Sequence, residues 1–150
     1  FTVEKIYELS GGRTFSEFME EIYDDFSSAD LIVAHNARFD IGFMIAEYCR
    51  RERRFRYKEE FDTMRYFTPI LKLERANHKG WKFPKLGELC EYFEIYPYDI
   101  TRKTVELFGD AAGRHDARYD TIAMYLSFVE GTKKIAELQE IASKHLQNDE

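Results

Sequence analysis

Only two short stretches of this chain read as β-strand, whereas roughly six read as helix. An isolated pair of strands is a poor platform for that many apolar helix faces, so this imbalance restricts the fold more than any other feature. The first strand is the apolar run Leu31 to Ala34, continuous enough to be covered on both faces, as in a parallel sheet. The second lies in "YKEEFDTM" at 57–64 and runs into a helix carrying Met64, Phe67 and Leu71.

The helix patterns are clearer. Phe15, Phe18, Met19, Ile22 and Phe26 form one stripe, Thr14 and Glu17 have capping-box spacing, and Gly11-Gly12 marks the preceding turn. From Asn36 to about Phe55 the pattern is again helical, with Phe39, Phe43, Ala46 and Cys49 expected to face inward. Leu86, Leu89, Cys90 and Phe93 give a third stripe. Residues 96–114 read as a loop with at most a short helix. Two helices, about Ala117 to Val129 and Thr132 to Leu146, are expected to break near Gly131. The whole of 1–150 reads as a single α/β domain.

Composition supports a folded chain, with 44% hydrophobic and 16% aromatic residues. No apolar run approaches the length of a membrane span, and the start, "FTVEKIYELSGGRTF", lacks a signal-peptide layout. The two cysteines, Cys49 and Cys90, sit in helix-like apolar patterns and read as reduced core thiols, which suggests a cytoplasmic setting. A net charge of −6 argues against gripping nucleic acid by bulk charge. It leaves room for an enzyme that meets phosphate through cations held by carboxylates.

Two places carry candidate chemistry. The first strand ends in "AHN" and feeds a helix with Asp40 near its first turn, and sites in open α/β sheets form beyond the carboxyl ends of strands. Read alone, Asp40 is more readily a first-turn acid favoured by the helix dipole. The second place is "AGRHDARYDTIAMYLSF" at 112–128. His115 and Asp120 are five residues apart, about 140° around a helix, so one helix face cannot carry both. A histidine in a loop that Gly113 loosens, beside an aspartate on a fixed helix, suits proton abstraction next to a metal. Asp120 lies beside the expected buried stripe of Tyr119, Ile122, Ala123, Leu126 and Val129.

"HNARFDIGFM" at 35–44 and "RHDARYD" at 114–120 resemble the second and third motifs of the DEDDh 3′–5′ exonucleases. This DnaQ-like family is related to the proofreading epsilon subunit of bacterial DNA polymerase III. "FDTMRYF" at 61–67 and "KLGELCEYFEI" at 85–95 fall where the family has corresponding segments, so the resemblance covers roughly 15–130. It implies an RNase H-like fold, a mixed sheet flanked by helices. It also implies two Mg²⁺ or Mn²⁺ ions held by four carboxylates, of which Asp40 and Asp120 would be two. His115 would be the general base toward the attacking water, and 5′-mononucleotides would be released from the 3′ end of DNA in replication proofreading or repair. Asn36 and Phe39, beside Asp40, become candidate substrate contacts. A single-stranded 3′ end and a DNA polymerase subunit are the implied partners, with no membrane.

One departure qualifies the resemblance. The family's first motif, an Asp-x-Glu pair on an upstream strand, occurs nowhere in this chain. Asp62 of "FDTM" is no substitute, since Met64 stands where the Glu would be, and Asp62 reads better as a helix cap. The missing motif and the shortage of strands together suggest the carboxyl-side part of a longer exonuclease domain. Such a chain lacks the N-terminal β-hairpin strands and would be inactive alone. Two alternatives remain open: a non-catalytic exonuclease-like binding or scaffold domain, and an RNA 3′-end exonuclease, since nothing here reads a 2′-hydroxyl. The basic "RRERRFRYK" at 50–58 is either a solvated helix end or a phosphate track. Lys79, Trp81 and Lys82 lie in a polar loop that could stack on and neutralise a single strand. His35, His78 and His145 have no zinc-ligand spacing with any Cys or His.

Overall fold

The computed structural model describes residues 2, 4, 7, 8, 10–110, 113 and 116–146, and His115 lies outside them. Among these residues the elements are α1 (Phe15–Ser28), β1 (Ile32–Ala34), α2 (Ala37–Cys49), β2 (Glu60–Asp62) and α3 (Thr63–Leu71). They continue with α4 (Leu86–Tyr92), α5 (Pro97–Phe108), α6 (Ala117–Lys134) and α7 (Ala136–Leu146). The two strands pair in parallel, with Ile32 opposite Glu60, Val33 opposite Phe61 and Ala34 opposite Asp62. The chain is therefore α/β but rich in helix, with a two-stranded parallel sheet.

Two packing centres hold it together. The larger gathers Phe67 of α3, Leu89 and Cys90 of α4, Ile100 of α5, Leu138 of α7, and Tyr119, Ile122 and Ala123 of α6, with Phe93 and Ile95 just beyond α4. The smaller surrounds Tyr48 of α2, which is fully buried. Phe15 meets its ring edge-on at 5.6 Å between centroids, Phe55 lies at 5.1 Å, and Phe26 meets Phe55 at a tilt, 5.2 Å between centroids. The Tyr48 hydroxyl donates to the Met19 carbonyl, so its one polar group is satisfied as it fastens α2 to α1.

Several sequence expectations hold. α1 starts after Thr14, whose backbone N–H donates to the Glu17 carboxylate at 2.6 Å. Asp62 caps α3, accepting from the N–H groups of Met64 and Arg65. Others need correction. The inward face of α2 is Ala37, Ile41 and Tyr48, while Phe39 and Phe43 are 69% and 56% exposed. Ala46 and Cys49 are exposed as well, so Cys49 is not a core thiol, whereas Cys90 is buried. α2 ends at Cys49 rather than near Phe55.

Residues 96–114 are not mostly loop, because α5 occupies Pro97–Phe108. Its signals are local: Pro97 in the first turn, an Asp99 carboxylate accepting from Tyr96 N–H at 3.1 Å, and Gly109 closing the helix at φ 81°. Gly131 does not break a helix either, since α6 runs through it to Lys134. A Cβ there would lie 2.7 Å from Leu138 Cδ2 and 3.0 Å from Phe67 Cζ, so the glycine makes room for a close approach of α7.

Candidate functional site at the carboxyl end of the parallel strands

β1 and β2 end side by side, and their next residues interlock. Asn36 makes the corner between β1 and α2 in the left-handed region, at φ 72° and ψ 49°, a conformation asparagine tolerates better than most residues. Its backbone N–H donates across to Asp62 Oδ1 at 3.1 Å. The same oxygen accepts from Met64 N at 3.0 Å and Arg65 N at 3.3 Å. One carboxylate oxygen therefore fixes both the start of α3 and the corner that launches α2.

His35 completes this arrangement. Its Nδ1 lies 3.0 Å from Thr63 Oγ1 and its Nε2 lies 3.0 Å from the Pro84 carbonyl. A carbonyl only accepts, so Nε2 carries the proton toward Pro84. Burial pushes the imidazole below its usual range, against the opposing pulls of the Pro84 hydrogen bond and the Asp62 charge. Thr63 has a single hydroxyl proton, which it donates to the Ala34 carbonyl, so the Nδ1 of a neutral His35 competes with that carbonyl for it. Thr63 is fully buried, and its hydroxyl also lies 3.1 Å from the Ala34 carbonyl.

The sequence candidates fall around this junction as follows. Asn36, Phe39 and Asp40 share the corner and first turn of α2, and all three are exposed. The carboxyl of Asp40 titrates above the usual range, first because neighbouring protein displaces water from it and then because Asp62 repels its charge. The residue as a whole is open to solvent, so this desolvation is local. Asp120 lies half-buried in the first turn of α6, after the Asp116 cap. It lines a cavity of about 780 Å³ between α4, α5 and α6, together with Lys85, Tyr96, Ile100 and Tyr119. Asp40 does not line that cavity, and the carboxylate that acts on it is Asp62. The helix that carries Asp120, α6, packs against β1, the strand that leads to Asp40.

A two-cation centre needs a dense set of oxygen donors. Asp62 Oδ2 is buried with no hydrogen-bond donor, its neighbour being Arg65 Nε at 3.4 Å, and this spare oxygen sits in the same neighbourhood as Asp40. Yet among the described residues no group of three or more His, Cys, Asp or Glu is arranged to hold a metal ion. These residues do not by themselves fit the complete centre.

The basic run at 50–58 is largely occupied by intramolecular partners. Arg50 and Arg51 pair with Glu47, Arg53 with Glu20, and Lys58 with Asp30. Arg51 and Arg53 also cover the rings of Phe15 and Tyr23. The run ties α2 and the loop after it back to α1, which favours the structural reading of the two. His35 and Thr63 are the residues sequence reasoning missed. The one available signal was a buried-looking histidine at a strand end, and its partners lie 28 and 49 positions away.

No protein-family model, curated protein or solved structure matches this chain. No helix among the described residues is long and apolar enough to cross a membrane.

Proposed function

We propose that the chain belongs to a metal-dependent 3′–5′ exonuclease of DnaQ-like, RNase H-like type, acting on single-stranded 3′ ends of DNA. The observation that carries this reading is the rigid mounting of Asp40. The corner before it is pinned through Asn36 and His35 from two other parts of the chain, and its carboxyl is held where ionisation is disfavoured. A carboxylate placed at cost beyond the carboxyl ends of parallel strands suits binding of a cation that relieves the repulsion. In this reading Asp40 and Asp120 are two of four metal ligands and His115 is the general base. The reading also requires an Asp-x-Glu pair that these 150 residues do not contain.

A second reading rests on the lack of an Asp-x-Glu pair in these 150 residues: a non-catalytic relative that binds without cleaving. One assay separates the two. The protein encoded by the complete reading frame is incubated with a 3′-labelled single strand and Mn²⁺, and released 5′-mononucleotides are counted. The exonuclease reading expects release that Asp40→Ala, Asp120→Ala and His115→Ala each lower by ~10²-fold or more. Release that none of the three alters would overturn it, and absence of release from the unaltered protein would support the binding domain. Running the same assay on RNA decides the sugar preference.

A further inference from the structure

Residues 73–82 fold back on themselves into an arm. Lys82 N–H donates to the Leu73 carbonyl at 2.8 Å, Glu74 and Trp81 form an antiparallel bridge, and Arg75 N–H reaches Gly80 at 3.2 Å. The tip turns on His78 and Gly80, at φ 54° and 77°. Arg75 Nε donates to the Trp81 carbonyl at 2.9 Å, which fixes that guanidinium along the arm. Trp81 and Phe83 remain 40% and 52% exposed.

The arm is basic and only partly compensated. Residues 72–85 carry five Lys or Arg against one Glu, in a chain whose net charge is −6. Lys82 pairs with Glu88, and His78 with Glu74. Lys72, Arg75 and Lys79 form no ion pair with any described residue, unlike most of the cations at 50–58, whereas the charge of Lys85 acts on Glu88. Exposed aromatic rings interleaved with uncompensated cations match a single nucleic-acid strand, whose bases stack and whose phosphates need neutralising. An acidic peptide would satisfy the cations and leave both rings without a stacking partner.

The arm is also joined to the candidate site. His35, one residue before the Asn36 corner, hydrogen-bonds to the buried Pro84 at the arm's returning base. The next residue, Lys85, lines the same cavity as Asp120. We infer that the 72–85 arm is a binding surface for single-stranded nucleic acid, guiding the strand toward the junction that bears Asp40. This rests on the exonuclease reading for its direction, but the binding itself does not depend on catalysis.

Trp81 is the chain's single tryptophan, so its emission reports on the arm directly. The probe is a twelve-residue oligothymidylate, titrated in EDTA to prevent hydrolysis, with fluorescein anisotropy as the second readout. Quenching of Trp81 is expected, with affinity falling roughly 20- to 50-fold between 50 and 200 mM NaCl if three to four phosphates are neutralised. Lys72→Ala with Lys79→Ala should lower the salt slope by about 1.4. Trp81→Ala should weaken binding at least ~5-fold, and Trp81→Phe should keep most of it. Circular dichroism melts check that each variant folds. Unchanged Trp81 emission at saturating oligonucleotide would overturn the inference, as would equal competition by a poly-glutamate peptide. Binding that behaves as expected in a full-length protein without nuclease activity would sink the exonuclease reading and leave the arm standing. Nuclease activity whose KM is indifferent to the arm variants would do the reverse.

Discussion

Replacing Thr63 with valine tests the junction most directly. The side chain is fully buried, and valine fills nearly the same volume, so the substitution removes one hydroxyl and little else. That hydroxyl donates to the Ala34 carbonyl at 3.1 Å and lies within hydrogen-bond distance of His35 Nδ1, at 3.0 Å. Its loss leaves a part-buried imidazole nitrogen without a donor, at a cost of about 1–3 kcal/mol. For a chain of this size that lowers the melting midpoint by roughly 2–12 °C. Thr63→Ser is the informative partner, because it keeps the hydroxyl and loses one methyl group, worth about 1 kcal/mol. Chemical denaturation of the three proteins at pH 7.5 should rank them wild type, then serine, then valine. A valine variant as stable as wild type, with serine the weaker of the two, would mean that methyl packing holds the junction and that the hydrogen bonds to His35 do not.

Three further outcomes follow from the same structure. His35 titrates below its usual value of 6.5, so the unfolded chain binds the proton first as pH falls. The stability that the neutral imidazole contributes is intact above pH 6.5 and is lost as acid carries the chain down toward the folded-state pKa. Melts from pH 8 to 5 should show this loss, and a His35→Gln variant should show less of it. Asp40 is the opposite case, because its raised pKa means that the folded chain holds the proton more tightly, and stability falls as pH rises above the usual 3.8. Asp40→Asn should therefore raise the melting midpoint at pH 7, and a lowered midpoint would show the carboxylate to be a structural partner. Gly131→Ala gains about 1 kcal/mol of helix propensity and loses about 1–3 kcal/mol to overpacking against Leu138 and Phe67. In a Leu138→Ala background the contact with Leu138 is removed and only the approach to Phe67 remains, so the same substitution should cost less, which a double-mutant cycle in urea would detect.

The sequence was legible where one local rule decided the outcome. The stripe Leu86, Leu89, Cys90, Phe93 had one apolar side to bury, and Asp62 stood where a cap belongs. The inward face of α2 is not legible in the sequence because its apolar residues surround the axis, and periodicity cannot choose between two apolar faces. The choice was made by Tyr48, which enters the aromatic cluster supplied largely by α1, a contact between helices distant in sequence. Gly131 misled for a related reason. Its lack of a side chain serves Leu138, and the space that α7 requires is invisible in the local pattern. α5 was missed although its terminal signals were present, because its buried stripe is no more than Ile100 and Thr104.

The end of β1 is mounted more firmly than the fold requires. His35 is held by Thr63 and Pro84, and the Asn36 amide by Asp62, so two successive residues are fixed by two separate parts of the chain. Such bracing is needed to keep the strand-to-helix corner in its left-handed conformation, which costs about 1 kcal/mol or more in a non-glycine residue. The residues delivered by that corner, Phe39 and Asp40, add little to the fold. Phe39 leaves most of its ring in solvent, and Asp40 forms no ion pair with any described residue and lies near a second carboxylate. Packing gains nothing from a large exposed ring, and the α2 dipole would favour an acid here without any need for the neighbour that repels it. A precise support whose load contributes so little to stability is the arrangement expected of a preorganised binding or catalytic group. Phe39→Ala together with Asp40→Asn should therefore leave the melt at pH 7 unchanged or raised while abolishing the ligand-dependent shift by Mn²⁺. A large loss of stability in the double variant would show that the corner exists for the fold.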